Sequence, residues 1–278
     1  MKIKITRSQI LSRIRENINE GKPIIGAGCS AGIIAKCAEM GGADLIVVYS
    51  TGKSRLMGLP TSRLGNSNAV TLGMCQELSN VITNTPIIAG VEADDPTILD
   101  IELMLDQFVR VGYSGIINFP TICSYEGRYR DTRDGIGMGF FRELEMVKIA
   151  RAMDIFTIAY VFLPDDAKAM AKMGVDCVCA HVGGTKGGLV GFKNILSLDE
   201  AAKKTQSIVE AAQSVNPDII CLSHGGPIET PEETKYIYEH TDVVGYIGAS
   251  SIERIPVEKA IIETVSQFKN ISVKKHRS

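Results

Sequence analysis

Neither sign of charge dominates this chain: 30 Lys and Arg stand against 32 Asp and Glu in 278 residues, a formal net charge of −2. A protein that binds by neutralising phosphates needs a basic face, so neither a dedicated nucleic-acid binder nor electrostatic capture by an acidic membrane is expected. No apolar run approaches the ~20 residues of a spanning helix. The opening MKIKITRSQILSRIR interrupts its hydrophobic residues with charge every few positions and leaves no block for a signal peptide. None of the seven cysteines forms a C-x-x-C pair with zinc-site spacing. Cys177 and Cys179 flank Val178 in an apolar run and read as buried strand thiols in a reducing compartment, so a cytoplasmic protein is expected. No Pro/Ser-rich linker, composition shift or fixed-period repeat divides the chain, which points to one domain over residues 1–278. The hydrophobic share of 45% is enough for a packed core and too much for a disordered chain.

Eight short apolar runs ended by turn residues lie at 23–27, 44–50, 86–90, 114–119, 156–162, 175–181, 218–223 and 243–248. Their near-continuous hydrophobicity (LIVVY, TIAYV, CVCA, IICLS) suits parallel strands covered on both faces. Helical patterns alternate with them, at 7–20, 30–40, 66–83, 138–152 and 165–173, and in further segments. One of these starts at Asp94, Asp95 and Pro96 and turns Ile98, Ile101, Leu105 and Phe108 inward, with the two aspartates as an amino-terminal cap. Ser197–Glu200 and Thr230–Glu233 are capping boxes. After Pro256 a last helix should turn Ile261, Val265 and Phe268 inward. Strict alternation with eight strands predicts an α/β fold, a single-domain (β/α)8 TIM barrel. An amino-terminal helix within 1–22 would close its bottom, and 269–278 would form a flexible tail. The rival architecture is an open doubly wound sheet.

In such barrels the loops after the strands build the site. Those at 51–65, 120–137 and 182–196 are long and rich in glycine and cations, which favours a mobile lid over an anionic ligand. Polar groups end several strands: Ser50 and Thr51, Glu92, Asn118, Tyr160, His181, and Ser223 with His224. His224-Gly225-Gly226 and the turn holding Ser250 follow strands seven and eight, where glycines let backbone N–H groups converge on an anion. Ser50-Thr51-Gly52-Lys53 offers a second cradle but lacks the full P-loop pattern. No Lys lies within a strand, so Schiff-base chemistry is not expected. Cys123 reads as a free loop thiol.

The blocks GAGCSAG (26–32), DLIVVYSTGKSRLMG (44–58), LGNSN (64–68), AGVEADDP (89–96), NFPT (118–121), ELEM (143–146), AYVF (159–162), AHVGGTKGG (180–188) and SHGGPI (223–228) fall in order along nearly the whole chain. They resemble the phosphoenolpyruvate hydrolase-like family, also labelled TIM-barrel signal transduction proteins and found in a plant antiviral resistance protein. The resemblance implies kinship with the phosphoenolpyruvate/pyruvate barrel superfamily. Its members make or break C–C or C–P bonds beside a 2-oxo acid, usually with Mg2+, and are usually oligomeric. By that analogy Ser50, Thr51 and Gly52 hold the substrate's anionic end, and metal-binding acids would fall at 90–92 and 118. Those positions read Gly90, Glu92 and Asn118, so two of three acids are absent. No organic cofactor is implied.

These readings combine into a hydrolase or lyase acting on a small 2-oxo acid or phosphoenolpyruvate-like anion. His181 carries the proton near neutrality, Glu92 orients it or activates water, and Tyr160 and Asn118 donate to the developing oxyanion. Lys186, His224, Gly225, Gly226 and Ser250 would bind substrate together with Ser50, Thr51 and Gly52. The alternative is a non-catalytic barrel that binds small anions or nucleotides and regulates.

Overall fold

The computed structural model describes residues 5–274, and residues 1–4 and 275–278, within the expected 1–22 and 269–278 segments, lie outside the described residues. Eight parallel strands close into a barrel in sequence order. They are β1 (Ile24–Gly28), β2 (Leu45–Val48), β3 (Ile87–Gly90), β4 (Gly115–Ile117), β5 (Phe156–Val161), β6 (Cys177–His181), β7 (Ile220–His224) and β8 (Gly245–Gly248). Pairing of β1 with β8 completes the ring and excludes the open sheet.

Around the ring run α1 (Arg7–Asn19), α2 (Gly32–Met40), α3 (Ser50–Leu56), α4 (Ser67–Val81), α5 (Ile101–Val111) and α6 (Gly127–Gly135). They are followed by α7 (Phe141–Ala152), α8 (Pro164–Lys172), α9 (Leu198–Gln213), α10 (Pro231–His240), α11 (Ser250–Glu253) and α12 (Ile255–Lys269). Both predicted capping boxes form, Ser197 with Glu200 at α9 and Thr230 with Glu233 at α10. At the bottom, α1 drives Ile10 and Ile14 into the interior cluster of Ile24, Leu45, Ile88 and Phe156. That is the expected closure, with Arg7 tied to Asp176 ahead of β6 at 2.7 Å.

Strand parity decides what points down the barrel axis, because alternate side chains take opposite faces. Inside lie Leu45 and Val47 of β2 with Tyr49 just past it, Ile88 of β3, Ile117 of β4 with Phe119 just past it, Phe156, Ile158 and Tyr160 of β5, and Cys177 and Cys179 of β6. Outward residues such as Ile46, Val48, Ile116, Ala159 and Val178 pack under the helices.

Two helix expectations change. The helix foreseen from Asp94 begins at Ile101, capped by Asp100, whose Oδ1 accepts from Leu103 N at 2.9 Å. Asp95 instead closes a local turn by accepting from Thr97 N and Oγ1, at 2.8 and 2.6 Å. The second change is α12. Its stripe faces outward rather than inward, with Ile261, Val265 and Phe268 58%, 60% and 71% exposed. Only Ile255 of that helix is buried, because α12 packs chiefly against α11 and otherwise touches loops, as through Glu258 to Leu189 N.

Candidate active site

Inward parity carries His181 and His224 to the top of the barrel. They are register partners on β6 and β7, so their rings meet at 4.4 Å between centroids. Tyr160 lies beneath them, 5.1 Å from the His181 ring and 4.8 Å from the His224 ring. Phe162 stacks on His181 at 4.2 Å, and Phe119 packs edge-on to Tyr160 at 5.4 Å and to Tyr49 at 4.9 Å. The upper barrel is thus an aromatic cage closed from below.

Two hydrogen bonds set the imidazoles. Gly183 N donates to His181 Nδ1 at 3.2 Å, which places the His181 hydrogen on Nε2. His224 Nδ1 lies 2.6 Å from Ile247 O. A carbonyl only accepts, so the hydrogen of His224 is on Nδ1. Burial pushes both pKa values down, His181 well below its ordinary range and His224 to about 4. Both rings are therefore neutral at pH 7. The expectation that His181 titrates near neutrality is corrected by this burial.

Beside β2 lies a buried polar cluster. Arg55 Nη2 bonds Glu253 Oε2 at 2.9 Å, and its guanidinium sits 5.6 Å from the centre of the Tyr49 ring. Tyr49 in turn interacts with Tyr160 through their hydroxyls. Gly52 has no room for a side chain, because its Cβ would fall 1.9 Å from Ser30 Oγ and 3.1 Å from Glu253 Oε2. Within this packing Ser50 Oγ, Thr51 Oγ1, Arg55 Nε and Glu253 Oε1 are buried without a protein partner. Ser250, buried, opens α11 one turn before Glu253.

Glu92 reaches the rim but not His181. Its Oε1 pairs with Arg63 Nη2 at 2.6 Å, while its backbone is held by Asn68. Arg63 also reaches Asp94, as does Arg133 at 3.0 Å. Burial raises the Glu92 pKa against the pull of Arg63. Asp94 is thus an arginine partner rather than a helix cap.

Other sequence expectations change for identifiable reasons. Asn118 has the outward parity of Ile116. Its Nδ2 donates to Glu143 Oε2 at 2.6 Å and to Tyr160 O at 3.1 Å, and its Oδ1 accepts from Tyr160 N at 2.7 Å. No amide hydrogen is left for an oxyanion. Tyr160, fully buried, has its hydroxyl within the cage, 3.4 Å from His224 Nδ1, and not in the mouth. Lys186 bonds Glu233 of α10 and so pins its loop instead of reaching a ligand. The 182–196 loop is further docked by Arg254 to Gly187 O at 3.1 Å and Leu189 N to Glu258 at 2.9 Å, which is not the free lid expected. Gly226 N donates to Gly183 O at 2.8 Å, so the Gly225-Gly226 turn locks two loops together rather than cradling an anion. Cys123 is buried, and burial with Glu143 nearby raises its pKa well above the ordinary value, leaving it a poor nucleophile.

The donor set does not suit a magnesium ion. Where the resemblance places one acid, a Cβ on Gly90 would lie 2.3 Å from Tyr49 Cβ and 2.7 Å from Phe119 O, so Tyr49 and Phe119 occupy that space. Asn118 faces away, and the Glu92 and Asp94 carboxylates are taken by arginines. Among the described residues no group of three or more His, Cys, Asp or Glu is arranged to hold a metal.

Sequence reasoning missed Arg55, Glu253 and Glu143. Glu143 accepts from Ile122 N, Asn118 Nδ2 and Thr121 Oγ1 at 2.6–2.7 Å, yet complete burial outweighs these donors and raises its pKa to about 8. A pH profile follows. From about 4.5 to 8 native Glu143 holds a proton that the unfolded chain has released, so its contribution to stability falls as pH rises. Below 6.5 the unfolded histidines bind protons that the buried ones refuse, so their contribution falls as pH drops toward 4. Stability should peak near pH 6.5, with each unmatched proton worth about 1.4 kcal/mol per pH unit. Urea denaturation across pH 5–9 measures this. Glu143→Gln should flatten the alkaline limb, and an unchanged limb in that variant refutes the assignment.

A family model described as phosphoenolpyruvate hydrolase-like matches residues 9–271. The ToMV susceptible protein tm-1(GCR26) of Solanum lycopersicum is 43% identical over 275 residues, covering 96% of this chain and 36% of that protein. The chain thus spans about a third of that relative's length. Among solved structures, phosphonopyruvate hydrolase in complex with oxalate and Mg++ superposes with a TM-score of 0.61 at 17% identity, over 95% of this chain and 87% of that one. Oxaloacetate acetylhydrolase with its product oxalate superposes with a TM-score of 0.64 at 17% identity, over 99% and 90%. At these identities the superpositions show a shared barrel fold.

Proposed function

The chain belongs to the phosphoenolpyruvate hydrolase-like family, and from that premise we propose that it is a hydrolase or lyase. It cleaves the C–C or C–P bond beside the carbonyl of a small 2-oxo acid or phosphoenolpyruvate-like anion at the carboxyl end of the barrel. The observation that carries this reading is the set of orphaned buried groups next to the histidine cage: Ser50 Oγ, Thr51 Oγ1 and Arg55 Nε. A buried polar atom without a partner costs about 1–3 kcal/mol. A carboxylate seated there would accept from the two hydroxyls and lie in the field of Arg55. Bond cleavage beside a carbonyl leaves an enolate, and preorganised donors in a water-poor site stabilise it. The neutral His181 supplies such a donor.

The test is a panel of 2-oxo acids, including phosphonopyruvate and oxaloacetate, scored by thermal shift and turnover with Mg2+ or with chelator. Stabilisation and turnover that survive the chelator are expected. Binding without turnover would instead mark a regulatory anion-binding barrel, and neither would end the proposal.

The chain also forms a homo-oligomer in this reading, supported by the apolar outer face of α12, where Ile261, Ile262, Val265 and Phe268 are all exposed. Sedimentation should show a dimer or larger, and Phe268→Glu should shift it toward monomer. A monomeric parent protein would refute this. A cytoplasmic location accords with the free cysteines, of which all but Cys37 are buried. No helix among the described residues is long and apolar enough to cross a membrane.

A further inference from the structure

We infer that His181 and His224 form a fixed donor–acceptor couple, His181 presenting Nε2–H and His224 an unprotonated Nε2, and that His224 is the general base while His181 holds the substrate's carbonyl oxygen. The inference rests on the 2-oxo acid reading above and assigns the proton transfer within it to a residue that the sequence marked only for binding.

The backbone engages one nitrogen of each ring and leaves the other to a ligand. Gly183 N–H occupies His181 Nδ1 as a donor, and Ile247 O occupies His224 Nδ1 as an acceptor. A neutral imidazole carries one hydrogen, so the two backbone contacts force opposite tautomers. Tyr160 Oη, 3.4 Å from His224 Nδ1, can only share the hydrogen already given to Ile247 O, and its own proton is left for Tyr49. Among the described residues neither Nε2 has a hydrogen-bond partner. The register of β6 and β7 sets the two rings side by side at an interplanar angle of 63°. Phe162 stacked on His181 and Phe119 beyond it prevent the cage from rearranging freely.

Such a pair reads a ligand that offers an acceptor oxygen beside a proton to be removed. For a C–P substrate, His224 Nε2 takes a proton from water as the water oxygen bonds to phosphorus. The C–P bond breaks, and its electron pair passes into the enolate, whose oxygen accepts from His181 Nε2–H. His224 then returns its proton to the methylene carbon. The products are phosphate and a methyl 2-oxo acid, and both imidazoles end as they began.

Two measurements decide this. Long-range 1H–15N spectra of the histidine-labelled protein at pH 7.5, assigned with single variants, should show the Nε2–H tautomer for His181 and Nδ1–H for His224. The reverse pattern, or the same tautomer at both, overturns the couple whatever the substrate. In the activity arm, His224→Asn keeps an amide able to donate to Ile247 O but has nothing at Nε2, and it should lose about 10²–10⁴-fold in turnover of phosphonopyruvate. His181→Gln, which places an N–H near the Nε2 position, should keep more activity than His181→Asn. Wild-type turnover in His224→Asn overturns the base role. A wild-type protein inert toward phosphonopyruvate and oxaloacetate overturns the reaction reading and the base role with it, while the spectra still decide the couple.

Discussion

Glu253→Ala should lower the unfolding free energy by about 3–5 kcal/mol, because it leaves the Arg55 guanidinium buried without a counter-charge. Glu253 is fully buried and Arg55 nearly so, their 2.9 Å contact spans 198 residues of sequence, and it ties α11 to α3 across the junction of β8, β1 and β2. Arg55 lies beside the orphaned hydroxyls and remains in this variant, so protection by an anionic ligand should be retained. The double variant Arg55→Met/Glu253→Leu separates the two effects. It removes both charges and should recover most of the stability, since burying an ion pair gains little over a packed apolar pair. Lacking Arg55, it should lose the ligand response that the single variant keeps. Thermal denaturation with and without oxalate measures both quantities. A single variant within 1 kcal/mol of wild type would show that Arg55 finds another partner or water.

Gly225→Ala should be nearly as damaging, and for a backbone reason. Gly225 has φ 82°, where a non-glycine residue costs about 1–2 kcal/mol. A Cβ there would also fall 2.1 Å from Gly183 O. That oxygen receives Gly226 N, and Gly183 itself holds His181 Nδ1, so the carbonyl cannot retreat without disturbing the cage. A loss of about 3 kcal/mol or more is expected, read as a melting temperature lower by roughly 6 °C or more. Gly183→Ala is the useful comparison. It shares a positive φ, 122°, but a Cβ would meet nothing within 4 Å, so it should carry the strain without the collision and cost less. Equal losses in the two variants would mean that backbone strain alone, and not the packing of the two loops, accounts for the effect.

Much of the site was half-legible. His181 and His224 end apolar runs, and counting by twos from Cys177 and Ile220 puts both in the barrel. The same count from Ile88 puts Glu92 on the axis, and from Ile116 it puts Asn118 outside, facing α7. Parity within a strand is therefore a usable signal for sorting rim residues. What it cannot supply is the partner. Glu92 meets Arg63 rather than His181, and Lys186 meets Glu233 rather than a ligand, because each charge settles on the nearest opposite charge that the folded loops bring to it. The same holds for α12, whose periodicity is sound while its direction is not: a helical stripe states that one face is apolar, not what covers it.

The ring of strands, the alternating helices, both capping boxes and the helix that plugs the bottom were written in the chain itself. Each depends on hydrophobic period or on residues within one turn of each other, and such interactions are local. The tautomer of His224, the buried Arg55–Glu253 pair, the shared carboxylate of Glu143 and the filling of the Gly90 position by Tyr49 were decided by the tertiary structure. They depend on which backbone groups and charges distant in sequence share a low-dielectric space, and only closure of the barrel brings them together.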